Sequence, residues 1–212
     1  MKATTARAEH PIDTLDPLST YRWLTASLMP RPIAWVSTVD ADGVDNVAPH
    51  SFTTVASTEP AVICFVSMTT KDTLANIRAT GEFVVNLGTE RLVPVMNDTA
   101  TPFPAGVSEF DEAQIEREPS AVVRPPRVAG APVALECKFL GEHNVGNGYM
   151  VFGEVVHIAA LHTVLAEDGL PDARLVAPVT RLGRSEWGTL GEVLHVDRLT
   201  LEQWRSGLRT GG

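Results

Sequence analysis

The residues best suited to chemistry in this sequence form the stretch Lys71-Asp72-Thr73, ahead of a helix-like segment at Thr73–Ala79. A helix start presents backbone N–H groups without partners and a favourable dipole, and the lysine adds a full positive charge. The stretch therefore predicts a site for an anionic group such as a phosphate, and Ser67 at the end of the preceding strand offers a further hydroxyl. The alternative is a solvated turn, in which Asp72 caps the helix and Lys71 points to water.

A second unusual stretch, NVAPHSF, precedes this one by about twenty residues. Its polar residues and its proline are poor choices for a buried strand, since proline cannot donate to a strand ladder. We therefore predict an edge strand or a bulge. Small and polar residues there let a flat ring lie against the backbone, and the alternative is a bulged edge without any ligand. The candidates for such a contact are Asn46, Val47, Ala48, Pro49, His50, Ser51 and Phe52.

Several common catalytic patterns do not occur in the sequence. No Gly-x-Gly-x-x-Gly follows a strand, and neither His-Glu-x-x-His nor Gly-x-Ser-x-Gly is present. The cysteines, Cys64 and Cys137, lie in separate apolar runs without metal-ligand spacing, so we interpret them as buried, reduced thiols. We therefore assign no catalytic side chain and no metal site.

Length and composition limit the class of protein. The chain has 212 residues, near the size of one domain, and a net charge of −9 without a basic cluster, which argues against a nucleic-acid partner. The N-terminus lacks the apolar segment of a secretory signal, and no apolar run approaches the length of a membrane span. We expect a cytoplasmic protein.

Short strand-like runs predict a mainly β fold that holds the two polar stretches together. Gly43 and Pro60 mark turns, and Asn147-Gly148 predicts a hairpin. The predicted strands are Pro32–Val39, Val44–Ser57, Ala61–Met68, Phe83–Leu87, Val133–Glu142 and Tyr149–Leu161.

Helices and loops complete the prediction. Residues 1–14 are polar and expected to be loose, and the next segment has Asp16 as a helix N-cap with Tyr21 and Trp23 as packing residues. The Pro-rich segment 101–130 is too apolar in places for a free loop. The remaining predicted helices are Leu18–Leu28, residues 90–99, a short one near Phe110–Ile115, and Leu199–Leu208 with Trp204 as its anchor.

An ordered series of segments carries a resemblance to a known family. RPIAWVST, NVAPHSFTTVASTEPAVICF, KDTLANI and GEFVVNL are followed by FPAGVSEFDEAQIE and PPRVAGAPVALECKF. Over roughly residues 15–187 the series resembles the flavin reductase-like family of FMN-binding split barrels. The resemblance implies a six-stranded antiparallel split β-barrel of Greek-key type with a few peripheral helices, formed by residues 15–212 as a single FMN-binding domain.

The resemblance also implies an activity. A flavin reductase takes a hydride from NAD(P)H onto FMN, with FAD as the other possible flavin, and the reduced flavin serves a partner oxygenase or another acceptor. A flavoredoxin-like electron carrier with tightly bound FMN and a non-catalytic flavin-binding module are the alternatives. The family relation further implies a homodimer in which segment 101–130 covers the cofactor cleft and meets the second subunit.

Site residues implied by the resemblance extend the two polar stretches. The strand Asn46–Phe52 would contact the isoalloxazine ring, and the turn at Lys71 and Thr73 would hold the phosphate. Trp35 is either a core residue or a cofactor contact, and Arg181 either a ligand for a phosphate or dinucleotide or a surface residue. Further members of the set, or residues whose role stays open, are Arg31, Ser67, Asp72, Glu109, Phe110, His157 and His162.

Overall fold

The computed structural model describes residues 6–207 and confirms a mainly β protein with few helices. The helices are α1 (Pro17–Ser27), α2 (Asp72–Thr80), α3 (Val93–Asp98), α4 (Glu109–Glu112), α5 (Ala173–Val176) and α6 (Leu201–Arg205). The strands are β1 (Arg31–Pro32), β2 (Ala34–Val39), β3 (Asp45–His50), β4 (Thr53–Thr58), β5 (Ala61–Met68), β6 (Glu82–Asn86), β7 (Arg117–Glu118), β8 (Arg127–Val128), β9 (Val133–Val145), β10 (Gly148–Ala160), β11 (Thr180–Arg181) and β12 (Trp187–Gly188).

The main sheet is antiparallel, has seven strands and follows the order β3-β2-β6-β9-β10-β5-β4. Its two edge strands, β3 and β4, are consecutive in the chain and are joined only by Ser51 and Phe52. This short corner forces the sheet to curl until its edges approach each other, and the Val66 amide donates to the Phe52 carbonyl at 2.8 Å. The sheet is thus a split barrel. The predicted run Val44–Ser57 is divided into two strands by this corner, which accounts for the additional strand.

One hydrophobic core fills the inside of the curled sheet. Phe65 and Phe83 meet edge to face with ring centroids 5.6 Å apart, and Leu74 and Ile77 of α2 pack on the same cluster. Gly153 on β10 makes room for the Phe83 ring, since a Cβ there would lie 2.2 Å from a ring carbon. The buried face of α2 therefore fixes the helix against the barrel, with its N-terminus at the barrel rim.

A second core cluster lies on the opposite side of β2 and β3. Trp35 and Val47 pack there against Met96, Phe110 and Val128. The apolar residues of segment 101–130 are thus largely buried on the chain's own barrel, with Val122 left exposed. Within one chain the barrel covers most of these side chains, and the expectation that the segment also packs on a second subunit stays a prediction.

The helix caps and turns predicted from local sequence signals are found in the structure, with two corrections. Asp16 caps α1 by accepting from the amides of Leu18 and Ser19, and Gly43 turns β2 into β3 with φ of 93°. The β9–β10 hairpin, however, turns at Gly146-Asn147, not at Asn147-Gly148, because Val145 pairs with Gly148. The helix α2 begins with Lys71 as its N-cap and has no side-chain cap, so the capping by Asp72 that the solvated-turn alternative assumed does not occur.

The terminal elements pack lightly on the barrel. Thr25 is the buried residue of α1, and Tyr21 and Trp23 are about half exposed, so their predicted role as packing residues is wrong within one chain. Residues 1–5 of the predicted loose N-terminus and Leu208 of the predicted last helix lie outside the described residues. Within 6–207, no helix is both long and apolar enough to cross a membrane.

Candidate functional site

An open cavity of about 460 Å³ lies where the sheet edges meet the start of α2. Three parts of the chain supply most of its lining: β3 with the corner after it, the first residues of α2, and the segment from the end of α3 to the start of α4. The lining residues are Tyr21, Asn46, Ala48, Pro49, His50, Ser51, Phe52, Val66, Met68, Lys71, Asp72, Thr73, Thr99, Ala100, Thr101, Pro102, Phe103 and Glu109. The two polar stretches singled out in the sequence are therefore neighbours in space.

The first wall is an edge of the sheet. β3 pairs with β2 on one side, with Pro49 opposite Trp35, and it has no strand partner on its other side within residues 6–207. The prediction of an edge strand is confirmed, and the proline loses no ladder bond there. The bulge of this region falls in β4 instead, between Val55 and Ser57. Because β3 is an edge strand, backbone N–H and C=O groups on its outer side are unpaired in the sheet, and they lie beside small side chains on the cavity wall.

His50 is a buried polar residue of this wall. Its ring lies 4.7 Å from the Phe65 ring, and its Nε2 atom is buried without a hydrogen-bond partner among the described residues. The pKa of His50 is lowered from 6.5 to about 4, chiefly by burial and to a smaller extent by the positive charge of Lys71, while a hydrogen bond with the Val66 backbone opposes the shift. The imidazole is therefore neutral at physiological pH and adds no charge to the cavity.

The second wall is the N-terminus of α2. Lys71 is exposed and forms no salt bridge within residues 6–207, while Asp72 occupies the first helical position. Because no side chain caps this helix, the N–H groups of its first turn remain available. The left-handed Gly81, with φ of 73°, ends the helix. The wall offers positive charge and backbone donors to an anion.

A hydrogen-bond chain joins this wall to the third. The Thr73 hydroxyl donates to Asn46 Oδ1 at 3.1 Å, and Asn46 Nδ2 donates to Glu109 Oε2 at 2.7 Å. The Val47 amide donates to the same carboxylate oxygen at 3.1 Å. Burial raises the pKa of Glu109, and hydrogen bonds from the backbone and from Asn46 oppose that shift. Three elements, β3, α2 and α4, are thereby held in one arrangement around the cavity.

Some predicted site residues lie behind the cavity wall. Trp35 and Val47 are fully buried in the second core cluster, and Ser67 is buried with its hydroxyl donating to the Thr69 carbonyl at 3.1 Å. Trp35 still acts on the site indirectly, because its Nε1 donates to the Thr99 hydroxyl at 2.9 Å. The core interpretation of Trp35 therefore describes this chain, with Thr99 as its link to the cavity.

The predicted arginines also lie outside the cavity lining. Arg31 is buried and donates to the carbonyls of Thr25 and Leu182, so it ties the end of α1 to the C-terminal part of the chain. Its guanidinium lies 5.7 Å from the centre of the Phe52 ring, which does line the cavity. Arg181 stacks over Trp187 at 4.8 Å and donates to the Arg184 carbonyl.

The third wall was predicted in part: the family resemblance implied that segment 101–130 covers the cleft, and Glu109 was a candidate, whereas Thr99 and Ala100 were missed. Residues 99–103 follow α3 and reach the cavity through long-range packing, which no local pattern signals. Phe110, the other candidate nearby, is fully buried in the second core cluster. His157 is half-buried on β10 and His162 is exposed, and neither lines the cavity. Within residues 6–207 no group of three or more potential ligands is arranged to hold a metal ion.

Comparison with known proteins decides the family. A family model described as a flavin reductase like domain matches residues 26–173, which is more than half of the chain. The chain belongs to the flavin reductase-like family. A protein of Aquifex aeolicus is 37% identical over 169 residues, which cover 77% of this chain and 86% of that protein. The resemblance stated from the sequence is thus confirmed.

Two solved structures are similar to this family member along nearly its whole length. Nitrilotriacetate monooxygenase component B from Bacillus cereus superposes with a TM-score of 0.86 at 27% identity, covering 91% of this chain and 100% of that one. The 2-nitrobenzoate 2-nitroreductase NbaA from Pseudomonas fluorescens gives a TM-score of 0.85 at 28% identity, covering 92% and 98%. The family membership supports a flavin-binding oxidoreductase.

Proposed function

We propose that this chain is an NAD(P)H-dependent FMN reductase that binds the flavin in the cavity between β3, α2 and the segment after α3. The observation that carries this proposal is the position of Lys71 and the uncapped N-terminus of α2 opposite the edge strand Asn46–Phe52 in one cavity. A flavin mononucleotide has a flat ring with a polar edge and a dianionic phosphate. The two walls offer a surface suited to each part.

The chemistry of the lining fits this cofactor. The buried Nε2 of His50 has no partner within residues 6–207, and a buried polar atom is stabilised by a hydrogen bond from or to a ligand. Ala48, Pro49 and Ser51 present little bulk along the wall, and β3 carries free backbone groups at its edge. When bound, the isoalloxazine ring supplies the hydride chemistry, and the protein supplies binding and orientation.

Each wall then has a distinct task. Lys71 and the first N–H groups of α2, including that of Thr73, hold the phosphate. The Thr73 hydroxyl donates its proton to Asn46 and so orients the wall. Phe52 closes the corner under the Arg31 guanidinium, and Trp35 fixes Thr99 from the core. No side chain of the chain is assigned a covalent or proton-transfer step.

The partner of the reduced flavin follows from the similar structures. The Bacillus cereus relative is a component of a monooxygenase, which supports supply of reduced flavin to a partner oxygenase. The Pseudomonas fluorescens relative is a nitroreductase, which favours a small nitroaromatic acceptor as the second candidate. Either acceptor would take electrons that entered the site from NAD(P)H.

Anaerobic NAD(P)H oxidation with and without added FMN tests the activity. We expect oxidation of NADH or NADPH that depends on FMN, and one of the two nucleotides should be preferred. Protein that retains FMN through purification but shows no steady turnover with added FMN would be an electron carrier. Flavin binding without any reduction by either nucleotide would contradict the reductase and leave a binding module.

We also propose that the protein acts as a homodimer, assembled through α1. On this short helix and the residues after it, large apolar side chains are exposed, and a second copy on the same face would bury them as an isologous two-fold contact does. Tyr21 of α1 lines the cavity and is half exposed, so the partner would border the flavin site. The exposed apolar residues are Leu18, Trp23, Leu24, Leu28 and Met29.

Sedimentation of the wild type and of a Leu24→Glu, Leu28→Glu variant tests this assembly. The wild type should sediment as a dimer at micromolar concentration, and the variant as a folded monomer. As a matched control, Leu170→Glu places a charge at another exposed leucine away from α1 and should leave the dimer intact. A wild type that is monomeric with flavin bound would contradict the proposal.

A further inference from the structure

The chain that follows β12 is a C-terminal arm, residues 189–199, with little contact to the barrel. Within residues 6–207 the arm has no helix or strand and forms no hydrogen bond or ion pair. Leu194 and Val196 are 74% and 70% exposed, and Val193 and Leu199 are only half-buried. Single exposed apolar residues are ordinary, but a run of them along an unbonded segment indicates a surface that another surface covers.

The short helix α6 at the end of the arm supports the same interpretation. Its start is well formed, because the Thr200 hydroxyl accepts from the Gln203 amide and the Gln203 side chain accepts from the Thr200 amide. Leu201 and Trp204 lie three positions apart, hence on one face, and both are more than half exposed. A helix of five residues is marginal in water without packing, and no residue of α6 is buried on this chain.

The start of the arm is joined to the end of α1. β12 pairs with β11, and β11 pairs with β1, which follows α1 closely. The buried Arg31 donates to the carbonyls of Thr25 on α1 and of Leu182 beside β11. Gly183 touches α1 so closely that a Cβ there would lie 2.9 Å from the Ala26 Cβ. The root of the arm and the apolar face of α1 therefore belong to one rigid part of the molecule.

This position determines which molecule the arm can cover. The exposed face of α1 is the surface that we assign to the dimer contact, so a second copy on that face lies beside the root of the arm. The eleven residues of the arm span up to about 36 Å when extended, which is more than the width of a small domain, about 30 Å. The two-fold axis of an isologous dimer makes the exchange reciprocal, so both arms are buried at once.

We propose that the two subunits exchange their C-terminal arms, with residues 189–199 and α6 of one copy packed on the surface of the other. This inference rests on the proposed homodimer through α1. Leu194, Val196 and Leu201 supply the apolar contacts, and Arg31 fixes the direction in which the arm leaves its own subunit.

Limited digestion with trypsin tests the exchange on the full chain, because Arg198 provides an exposed cleavage site within the arm. In the wild-type dimer, cleavage after Arg198 should be at least about tenfold slower than in the monomeric Leu24→Glu, Leu28→Glu variant, since proteolysis follows the accessible population of a segment. Arg7, which is exposed and lies outside any helix or strand, should be cleaved at the same rate in both proteins. Dilution of the wild type below its dimer dissociation constant gives the same comparison without any substitution.

A second variant changes the arm and leaves α1 intact. Leu194→Glu, Val196→Glu should weaken the dimer, measured by sedimentation, by at least about tenfold, because each substitution occurs twice in a two-fold dimer. Leu170→Glu charges an exposed leucine outside the arm and should retain the wild-type dissociation constant.

Three results would overturn the inference while the wild type is a dimer. Rapid cleavage after Arg198 in both dimer and monomer would show a free arm, available to an acceptor protein instead. Slow cleavage in both would show an arm that packs on its own subunit. An unchanged dissociation constant in Leu194→Glu, Val196→Glu would exclude the arm from the interface. A wild type that sediments as a monomer has a different meaning, because it contradicts the proposed homodimer and the exchange together.

Discussion

Two walls of the cavity carry ionisable side chains of opposite type at opposite degrees of burial. Lys71 is exposed at an uncapped helix start, with no salt bridge inside residues 6–207, whereas Glu109 is buried and receives hydrogen bonds from Asn46 and Val47. An exposed lysine is free to meet an arriving anion, but water and salt weaken its field. The buried Glu109 is fixed in place by its hydrogen bonds, which hold α4 against β3. The first arrangement suits the capture of a ligand, and the second suits a rigid cavity wall.

On the wall formed by β3, His50 is neutral at physiological pH, and it supplies the largest expected effect. Its folded pKa of about 4 is below the ordinary 6.5, so the unfolded chain takes up a proton first as the pH falls. The stabilisation is present above about pH 6.5 and is lost as the pH falls toward 4, by roughly 3 kcal/mol at most. The free energy of unfolding, measured by denaturant titration across this range, should fall less steeply in His50→Phe.

A histidine elsewhere serves as the control for this measurement. His162 is exposed, so His162→Ala should retain the acid sensitivity of the wild type. Equal pH slopes for the wild type and His50→Phe would show that the wall formed by β3 does not exclude a positive charge. The proposed difference between this wall and the other two would then be wrong.

The next effect tests whether Lys71 binds the flavin phosphate. Charge-assisted hydrogen bonds contribute about 1.5–3 kcal/mol each, so Lys71→Ala should weaken FMN binding by about one to two decades. Riboflavin lacks the phosphate, and its dissociation constant should hardly change. Isothermal titration with both ligands measures the contrast. Arg78→Ala removes a positive charge from the far end of the same helix and should leave FMN binding nearly unchanged.

Two outcomes would remove Lys71 from the site. Equal weakening of FMN and riboflavin would indicate general damage to the protein, and no weakening of either would return Lys71 to the solvated-turn interpretation. In both cases Lys71 would not be a ligand of the phosphate.

The smallest effect concerns the hydrogen bond from Thr73 to Asn46, which links α2 to β3. Thr73→Val keeps the side-chain shape and removes the donor to Asn46 Oδ1, so the free energy of unfolding should fall by about 1 kcal/mol. Because the hydroxyl proton points to Asn46, FMN and riboflavin should weaken together, by less than about tenfold. Thr73→Ser keeps the donor and serves as the control. A loss confined to FMN would show that the hydroxyl binds the phosphate directly.

Local signals in the sequence predicted the elements because they depend on neighbouring residues. Asp16 before Pro17, Gly43 in a tight turn and Gly81 after a helix each satisfy a backbone requirement that can be read from a few positions. The edge character of β3 followed in the same way from Pro49. The corner at Ser51 was missed since it depends on how the sheet closes.

The candidate site was only partly predictable for the same reason. Asn46 and Lys71 were found because each has an unusual local setting, and the fold brings both to one cavity. The wall at residues 99–103 depends on the bond from Trp35 to Thr99, across more than sixty residues of chain. The burial of Phe110 on the chain's own barrel likewise required the three-dimensional arrangement.

Equilibrium binding of FMN to the wild-type protein tests the central claim most directly, with flavin fluorescence and the melting temperature followed in parallel. We expect quenched fluorescence and saturation at one FMN per chain. At a hundredfold excess of FMN over its dissociation constant, the stabilisation should reach about 2.7 kcal/mol, a rise in melting temperature of roughly 5–10 °C. A flavin spectrum and a melting temperature that stay unchanged at tens of micromolar FMN would contradict the account.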